Sequence, residues 1–233
     1  MNLVTAVDIS KTYQTGEVQV QALKSLSFEI EPAGFVSFVG PSGSGKTTLL
    51  NIIGCLDKPT AGSLSVAGSD VSSLGRTDGA AFRGNNIGFV FQDFNLIPVL
   101  SVFENIEYPL LMTSGINARE RKDRVENLLE LVGMSDQSKK MPNQISGGQM
   151  QRVAIARALV GDPKLVLADE PTANLDHDTA YMVINLMKSM KEKKKTTFIF
   201  STHDPKIVGE AEIIYTLEDG ILVNREDRRS NRG

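Results

Sequence analysis

The chain has 233 residues, 41% of them hydrophobic and 23% charged, a composition that is typical of a folded globular domain and excludes a disordered or fibrous chain. Its formal net charge of −3 argues against a protein that works on nucleic acid, because neutralising phosphates requires a basic face. The single cysteine, Cys55, excludes a disulfide framework. The sequence shows neither a long apolar run nor a signal-peptide pattern, so we expect a cytoplasmic chain.

From the N-terminus onward, strand patterns alternate with helical patterns, which is typical of an α/β fold. Alternating, one-faced strands are predicted at Thr5–Ser10, Ser25–Ile30 and Ser63–Val66. Nearly continuous apolar strands, as in a parallel sheet covered on both faces, are predicted at Phe35–Val39, Ile87–Phe91, Leu165–Ala168 and Thr197–Phe200. A closing hairpin around Asp219-Gly220 is predicted from Ile213–Leu217 and Ile221–Val223.

The middle of the chain differs, because strand patterns are absent from about 103 to 159. Residues 119–132 carry apolar side chains at helical spacing, and this pattern stops at Gly133. We therefore expect a single domain in which a helical subdomain (about 93–160) is inserted into an α/β core with a β subdomain (about 1–92 and 161–224). The tail at 225–233 is charged and lacks apolar residues, so we expect it to be frayed.

A glycine-rich segment follows the strand Phe35–Val39 and precedes an apolar segment at 49–56. It fits the pattern G-x4-G-K-[ST] and, with the next threonine, comprises Gly40, Pro41, Ser42, Gly43, Ser44, Gly45, Lys46, Thr47 and Thr48. Such a loop wraps with its N–H groups pointing inward and forms an anion site at a helix N-terminus. Lys46 would reach the β- and γ-phosphates of a nucleotide and Thr47 would ligate Mg²⁺. The alternative is a glycine-rich turn with an incidental lysine.

Two carboxylates, Asp169 and Glu170, follow the apolar strand Leu165–Ala168. They therefore lie at the carboxyl end of a strand, where ligands bind in open α/β sheets. Asp169 suits Mg²⁺, which prefers hard oxygen ligands. Glu170, one residue further on, would polarise an attacking water. The alternative is a pair of solvated turn residues before Pro171.

A third segment, Ile145-Ser146-Gly147-Gly148-Gln149, precedes a helical pattern at 151–159. A serine and two glycines at a helix start form a further anion site from hydroxyl and backbone N–H groups. In isolation a simple helix cap explains the segment equally well. Two phosphate-type sites about a hundred residues apart are compatible with one nucleotide if a second copy of the chain supplies the second site.

Together these segments resemble the ATP-binding subunit of ABC transporters, with Gly40–Thr47 as Walker A, Leu165–Glu170 as Walker B and Ile145–Gln149 as the LSGGQ signature. The resemblance covers essentially the whole chain. It implies a P-loop NTPase core with an antiparallel β subdomain and an inserted α-helical subdomain. It also implies ATP and Mg²⁺ as cofactors, and a dimer in which Ser146, Gly147, Gly148 and Gln149 contact the ATP held by the other copy.

Four more positions match the family. Tyr13 stands where the family stacks an aromatic ring on adenine. Gln92 matches the Q-loop glutamine, which contacts Mg²⁺ and the attacking water. Asp176, in Ala173-Asn174-Leu175-Asp176, matches the D-loop, which reaches across the dimer, and His203 matches the switch histidine, which contacts the γ-phosphate. The resemblance thus implies Glu170, His203, Gln92 and Lys46 as catalytic residues, and Thr47, Gln92 and Asp169 as metal ligands.

Within the family, segments such as Leu49–Asp57 and Gly88–Gln92 are similar to the group that serves lipoprotein release and macrolide export. The resemblance implies a transmembrane permease as partner and a location on the inner face of the cell membrane, held there by that permease. Other functions remain open: a non-transport ABC ATPase of the cell-division or DNA-repair type, or a P-loop kinase of metabolites. No nucleic-acid partner is expected, and the lysines at 188–195 are interpreted as a solvated helix end.

The segment after Gln92 is more apolar than a short loop and one helix face require. It comprises Phe94–Leu100 followed by Phe103, Ile106, Tyr108, Pro109, Leu110, Leu111 and Met112. We expect part of it to stay exposed as a docking surface, with Leu96 and Leu100 as docking side chains. The resemblance agrees, because this part of the family receives the permease's cytoplasmic coupling helix. The alternative is that the whole segment closes the core of the insert.

Overall fold

The computed structural model describes residues 1–16, 18–113 and 115–229. Its strands are β1 (Val4–Thr15), β2 (Val18–Ile30), β3 (Phe35–Val39), β4 (Ala61–Val66), β5 (Ser69–Asp70), β6 (Ile87–Val90), β7 (Leu165–Asp169), β8 (Thr197–Thr202), β9 (Ile213–Glu218) and β10 (Ile221–Asp227). Its helices are α1 (Lys46–Ile53), α2 (Arg76–Asn86), α3 (Val102–Leu111), α4 (Ala118–Leu131), α5 (Gly147–Leu159), α6 (His177–Lys194) and α7 (Pro205–Val208).

Two sheets organise the molecule. The larger has the order β10-β9-β3-β8-β7-β6, and all its neighbouring pairs are parallel except the closing β9–β10 hairpin. The smaller is antiparallel with the order β2-β1-β4-β5. Both the parallel core and the antiparallel β subdomain predicted from the sequence are therefore confirmed.

The larger sheet is covered on both faces, as its apolar strands predicted. Alternate residues of β7 belong to different cores: Val166 packs with α3, α4, α5 and α6, whereas Leu167 packs with α1 and the smaller sheet. Both side chains are buried to 1% exposure or less. This two-sided burial explains why these strands read as nearly continuous apolar runs.

The prediction of a frayed tail from residue 225 is wrong in part, because Arg225–Asp227 continue β10 and pair with β9. The outermost strand of a sheet needs only backbone hydrogen bonds on one side and does not need buried side chains, so a charged sequence forms it as well. The turn itself is as predicted, with Asp219 and Gly220 both at positive φ. Residues 230–233 lie outside the described part of the chain.

Helix α2 was not predicted from the sequence. Gly79 is its buried residue, so the segment has no apolar stripe that would show helical periodicity. The helical insert, in contrast, follows the predicted pattern, and Val125, Leu128 and Leu129 of α4 are buried. The interpretation of the lysines at 188–195 as a solvated helix end is wrong for Lys191, which is 8% exposed and pairs with Glu212 at 2.5 Å.

Candidate active site

The carboxyl ends of β3, β7 and β8 meet at one edge of the larger sheet, because these strands are parallel and adjacent. A cavity of about 490 Å³ opens there. It is lined by Ala22, Ser42, Gly43, Gly45, Lys46, Thr47, Thr48, Gln92, Asp169, Glu170 and His203. The structure thus brings the predicted phosphate loop, both carboxylates, the glutamine and the histidine to a single site.

The phosphate loop has the geometry of an anion cradle. Gly40, Gly43 and Gly45 all adopt positive φ, and a Cβ on Gly40 would lie 2.0 Å from the carbonyl oxygen of Leu217. Only glycine fits that approach. Helix α1 begins at Lys46, so its N-terminal N–H groups and its dipole face the loop.

Lys46 is 8% exposed, and its ammonium donates hydrogen bonds to the carbonyls of Gly40 (2.8 Å) and Pro41 (2.9 Å). Both acceptors are neutral, so the charge of Lys46 remains available to an anion in the loop. A buried cation beside inward-facing N–H groups suits the phosphates of a nucleoside triphosphate.

Asp169 and Glu170 are held by a residue that the sequence did not single out. Ser201 of β8 lies opposite Asp169 in the register of the sheet. Its hydroxyl donates to Asp169 Oδ1 at 2.6 Å and accepts the backbone N–H of Glu170 at 3.0 Å. Glu170 adopts a positive φ of 46°, a sparsely populated conformation for a non-glycine residue that is often stored at functional sites.

His203 lies beside this glutamate. Its Nδ1 is 2.9 Å from Glu170 Oε1, and its side chain is 69% exposed whereas that of Glu170 is 15% exposed. The histidine therefore orients one carboxylate oxygen from the solvent side of the cavity.

Gln92 is connected to the segment that follows the carboxylates. Asn174 donates from Nδ2 to the carbonyl of Gln92 at 3.1 Å and to Asp93 Oδ1 at 3.2 Å. The predicted Q-loop and D-loop are thus linked within one chain, a link that the separate motifs did not reveal.

The donors at the cavity fit Mg²⁺ bound together with phosphate oxygens. Thr47 contributes a hydroxyl, Asp169 a carboxylate and Gln92 an amide oxygen, all hard oxygen ligands of the type that Mg²⁺ prefers. Together they supply part of an octahedral set, as expected where the substrate's phosphates and water complete the coordination.

The signature residues lie elsewhere. The residues that line the cavity in the described structure do not include Ser146, which is exposed and caps α5 by accepting from the Gln149 N–H at 3.3 Å. Gly148 packs so closely on α6 that a Cβ there would lie 2.4 Å from Thr179 Cγ2. Asp176 caps α6, and hydrogen bonds from Thr179 lower the pKa of its carboxyl.

The expectation that Leu96 and Leu100 are docking side chains is not supported by the structure. Both are partly buried, and Leu96 packs against the core of the helical insert. The buried Asn105 fixes their backbone by accepting from Ile97 N at 2.7 Å and donating to Leu100 O at 2.9 Å. The apolar segment is instead divided, because Ile106 is fully buried whereas other members are exposed: Val99, Tyr108, Leu111 and Met112.

A phosphate cradle joined to a carboxylate pair on the edge of a parallel sheet defines the class of P-loop NTPases. Comparisons with known proteins narrow this class. The family model described as ABC transporter matches residues 23–173. The chain belongs to this family, as its ATP-binding, ATP-hydrolysing component.

Relatives support this assignment over nearly the full length of the chain. An ABC transporter ATP-binding protein of Thermotoga maritima is 48% identical over 222 residues, which cover 95% of this chain and 94% of that protein. The macrolide export ATP-binding/permease protein MacB of Syntrophobacter fumaroxidans is 44% identical over 95% of this chain, but only 31% of that protein is covered. The resemblance to the macrolide-export group is therefore confirmed.

Among solved structures, the dimeric ATP-binding cassette MJ0796 of Methanocaldococcus jannaschii, bound to ADP and Pi, superposes with a TM-score of 0.89. It is 42% identical, and the match covers 97% of this chain and 99% of that one. These findings favour a transporter ATPase over a DNA-repair or cell-division ATPase and over a metabolite kinase.

Proposed function

We propose that this chain binds and hydrolyses ATP as one half of a two-site dimer that drives a separate membrane permease. The observation that carries the proposal is the division of the site. The phosphate loop, Asp169 and Glu170 line one cavity, whereas the exposed Ser146 does not line it. A second copy of the chain would supply the missing donors.

Within this proposal each side chain has a chemical task. Lys46 and the N–H groups at the start of α1 bind the phosphates, and Glu170 accepts the proton of the attacking water as general base. His203 orients Glu170, and the Ser201 hydroxyl accepts a hydrogen bond from the backbone N–H of Glu170 and so fixes this residue. Tyr13, which is 37% exposed, stacks on the base. Bound Mg²⁺ supplies charge neutralisation at the phosphates and is held by Thr47, Asp169 and Gln92.

The composite site is tested by complementation between two inactive variants. We expect chains carrying Lys46→Ala and chains carrying Ser146→Arg to be inactive alone. Mixing them in equal amounts should recover about a quarter of the parent rate, because half of the random dimers are mixed and each holds one intact site. Phosphate release is the readout, with light scattering to show that mixed dimers form. Mixed dimers without recovered hydrolysis would disprove a site shared between chains.

The permease partner has a groove available to it. An open cavity of about 600 Å³ lies between α2, the edge strand β6 and the helical insert. Its apolar wall includes Phe89 and Phe91, whose rings stack 5.7 Å apart, together with Pro109 and Met112. Met112 is 72% exposed. An apolar groove beside the edge strand of a sheet suits an inserted helix of a partner.

The positive charges of this groove indicate which chemical groups a bound partner segment should carry. Arg83 and Arg157 line it, and the described lining residues include no carboxylate. Arg157 donates to the backbone carbonyls of Phe94 (2.7 Å) and Asn95 (2.5 Å), and burial lowers the pKa of its guanidinium. Arg157 therefore connects the groove to the segment that follows Gln92. The groove suits an apolar permease segment that presents a carboxylate or a helix C-terminus to these arginines.

Substitution of the exposed groove residue tests this docking site. We expect Met112→Asp to leave basal ATPase activity nearly unchanged and to abolish most of its stimulation by the reconstituted permease, since a carboxylate would face the apolar part of the partner. The matched control is Val223→Asp, because Val223 is 52% exposed on β10 outside the groove. Co-purification from detergent is the second readout. Normal assembly and response of Met112→Asp would place the docking site elsewhere.

Among the described residues, no helix combines the length and apolarity needed to cross a bilayer. We place the chain on the inner face of the membrane through its permease. The export and lipoprotein-release group is the best-supported subtype, because macrolide export proteins of two organisms match at 44% and 41% identity. In those relatives the matched part is about a third of the protein, at 31% and 34%.

A further inference from the structure

Tyr13 belongs to a small polar cluster that borders the phosphate loop, where its side chain is hydrogen-bonded with Thr48. Its hydroxyl donates to Asp57 Oδ2 at 2.7 Å, and Lys11 Nζ donates to Oδ1 of the same carboxylate at 2.6 Å. The Lys11 ammonium also lies 4.8 Å from the centroid of the Tyr13 ring. The Asp57 carboxylate therefore binds both the Tyr13 hydroxyl and the Lys11 ammonium, and this ammonium covers one face of the Tyr13 ring.

Asp57 is itself fixed by its surroundings. It lies in the loop that follows α1, where its N–H donates to Asn51 O at 3.2 Å and its Oδ1 accepts the Lys58 N–H at 2.7 Å. Lys11 closes the cluster by donating to Lys58 O at 2.7 Å. Helix α1 begins at Lys46 in the phosphate loop. The same helix is followed by the loop that carries Asp57, the residue that holds Tyr13.

Burial and charge keep this cluster in one protonation state. Burial raises the pKa of Asp57, but hydrogen bonds from Lys11 and Tyr13 outweigh that effect and leave its pKa below the usual value. The pKa of Tyr13 is raised by burial and by the bond to Asp57, which outweigh the opposite effect of its hydrogen bond with Thr48, so the phenol remains a donor. The Lys11 side chain is 12% exposed and that of Asp57 is 30% exposed, whereas Tyr13 retains 37%. Because the Lys11 ammonium lies over one face of the ring, a planar ligand would have to stack on the opposite face.

We propose that Asp57 and Lys11 are positioning residues for base recognition, which fix the Tyr13 ring so that its open face is preset to stack on the purine of ATP. This inference rests on the proposed role of Tyr13. Fixing an aromatic ring before binding removes the entropic cost of ordering it in the complex. In the proposal the triphosphate contacts neither Asp57 nor Lys11, so its binding does not depend on either residue.

The difference between ATP and inorganic tripolyphosphate, which lacks a base, tests the inference on the full chain. We expect Asp57→Ala and Tyr13→Phe each to raise the Kd for ATP about three- to tenfold, the loss expected for one hydrogen bond. The Kd for tripolyphosphate should stay within about twofold, since no base is present. The two substitutions combined should cost less than the sum of the single effects, because both remove the hydrogen bond between Tyr13 and Asp57.

Two further variants exclude a merely structural effect. Asp57→Asn keeps an acceptor for the Tyr13 hydroxyl and should recover part of the ATP affinity, with KM for ATP changed and kcat at saturating ATP retained. Asp162→Ala is the matched control, since Asp162 pairs with Lys194 at 2.8 Å outside the site. If Asp57→Ala weakens the binding of ATP and of tripolyphosphate equally, or weakens the binding of neither, Asp57 does not position Tyr13 for base recognition. If Tyr13→Ala leaves the ratio of the two affinities unchanged, the stacking role of Tyr13 itself is wrong, which is a separate result.

Discussion

Replacing Glu170 with glutamine is expected to reduce ATP hydrolysis by about 10²- to 10⁴-fold, the usual contribution of a general base. The amide has nearly the same shape, so the hydrogen-bonding position beside His203 and the backbone bond to Ser201 are kept. It also removes a negative charge that would face the γ-phosphate. ATP binding should therefore persist, and a closed dimer should accumulate because the step that opens it is blocked.

Size-exclusion chromatography with ATP and Mg²⁺, combined with phosphate release, measures both effects. The control is Glu126→Gln, which makes the same chemical change at a glutamate that is 57% exposed on α4. It should hydrolyse ATP at the parent rate and should not accumulate as a dimer. A Glu170→Gln chain that stays monomeric with ATP, or that hydrolyses at the parent rate, would show that Glu170 is not the base.

Removal of the Lys46 charge is expected to weaken ATP binding about 10- to 150-fold, because one hydrogen bond between charged groups contributes about 1.5–3 kcal/mol. Lys46→Met is the sharper variant, since it keeps the aliphatic stem of a side chain that is only 8% exposed. Lys46→Ala additionally leaves a cavity in the loop. Both variants lose the hydrogen bonds to Gly40 and Pro41.

Calorimetric titration with ATP is the measurement, and tripolyphosphate should show a similar loss because Lys46 acts on the phosphates. Lys122→Met is the control, as its side chain is 64% exposed on α4 and pairs with Glu126 at 3.6 Å. Thermal unfolding separates a loss of affinity from a loss of the fold. Unchanged affinity in a folded Lys46→Met chain would exclude this lysine as a phosphate ligand.

The features of the site that could be predicted from the sequence are those that depend on residues close together in the chain. The phosphate loop was predictable because a turn that needs glycine at positive φ and a helix start leave a continuous sequence pattern. Asp169 and Glu170 were predictable because they follow an apolar strand, and the carboxyl ends of parallel strands meet at one edge. Burial on both faces of the larger sheet was predictable because its strands are nearly continuous apolar runs.

Other members of the site depend on residues far apart in the chain. Ser201 is an ordinary strand residue until the register of β7 and β8 places it opposite Asp169. The contact of Asp57 with Tyr13 spans 44 positions, and that of Asn174 with Gln92 spans 82. No local pattern encodes such pairs, because sheet register and packing bring them together only after the chain has folded.

By itself, therefore, the sequence determined the class of the protein, its cofactor and the candidate phosphate loop, since the motifs behind each are contiguous residues with a fixed backbone requirement. The tertiary structure alone decided which apolar side chains stay exposed. Leu96 packs into the core of the insert whereas Met112 is 72% exposed, although both belong to the same apolar stretch. The reason is that burial depends on which face a helix or loop turns toward its neighbours, and that orientation is set by packing across the whole domain.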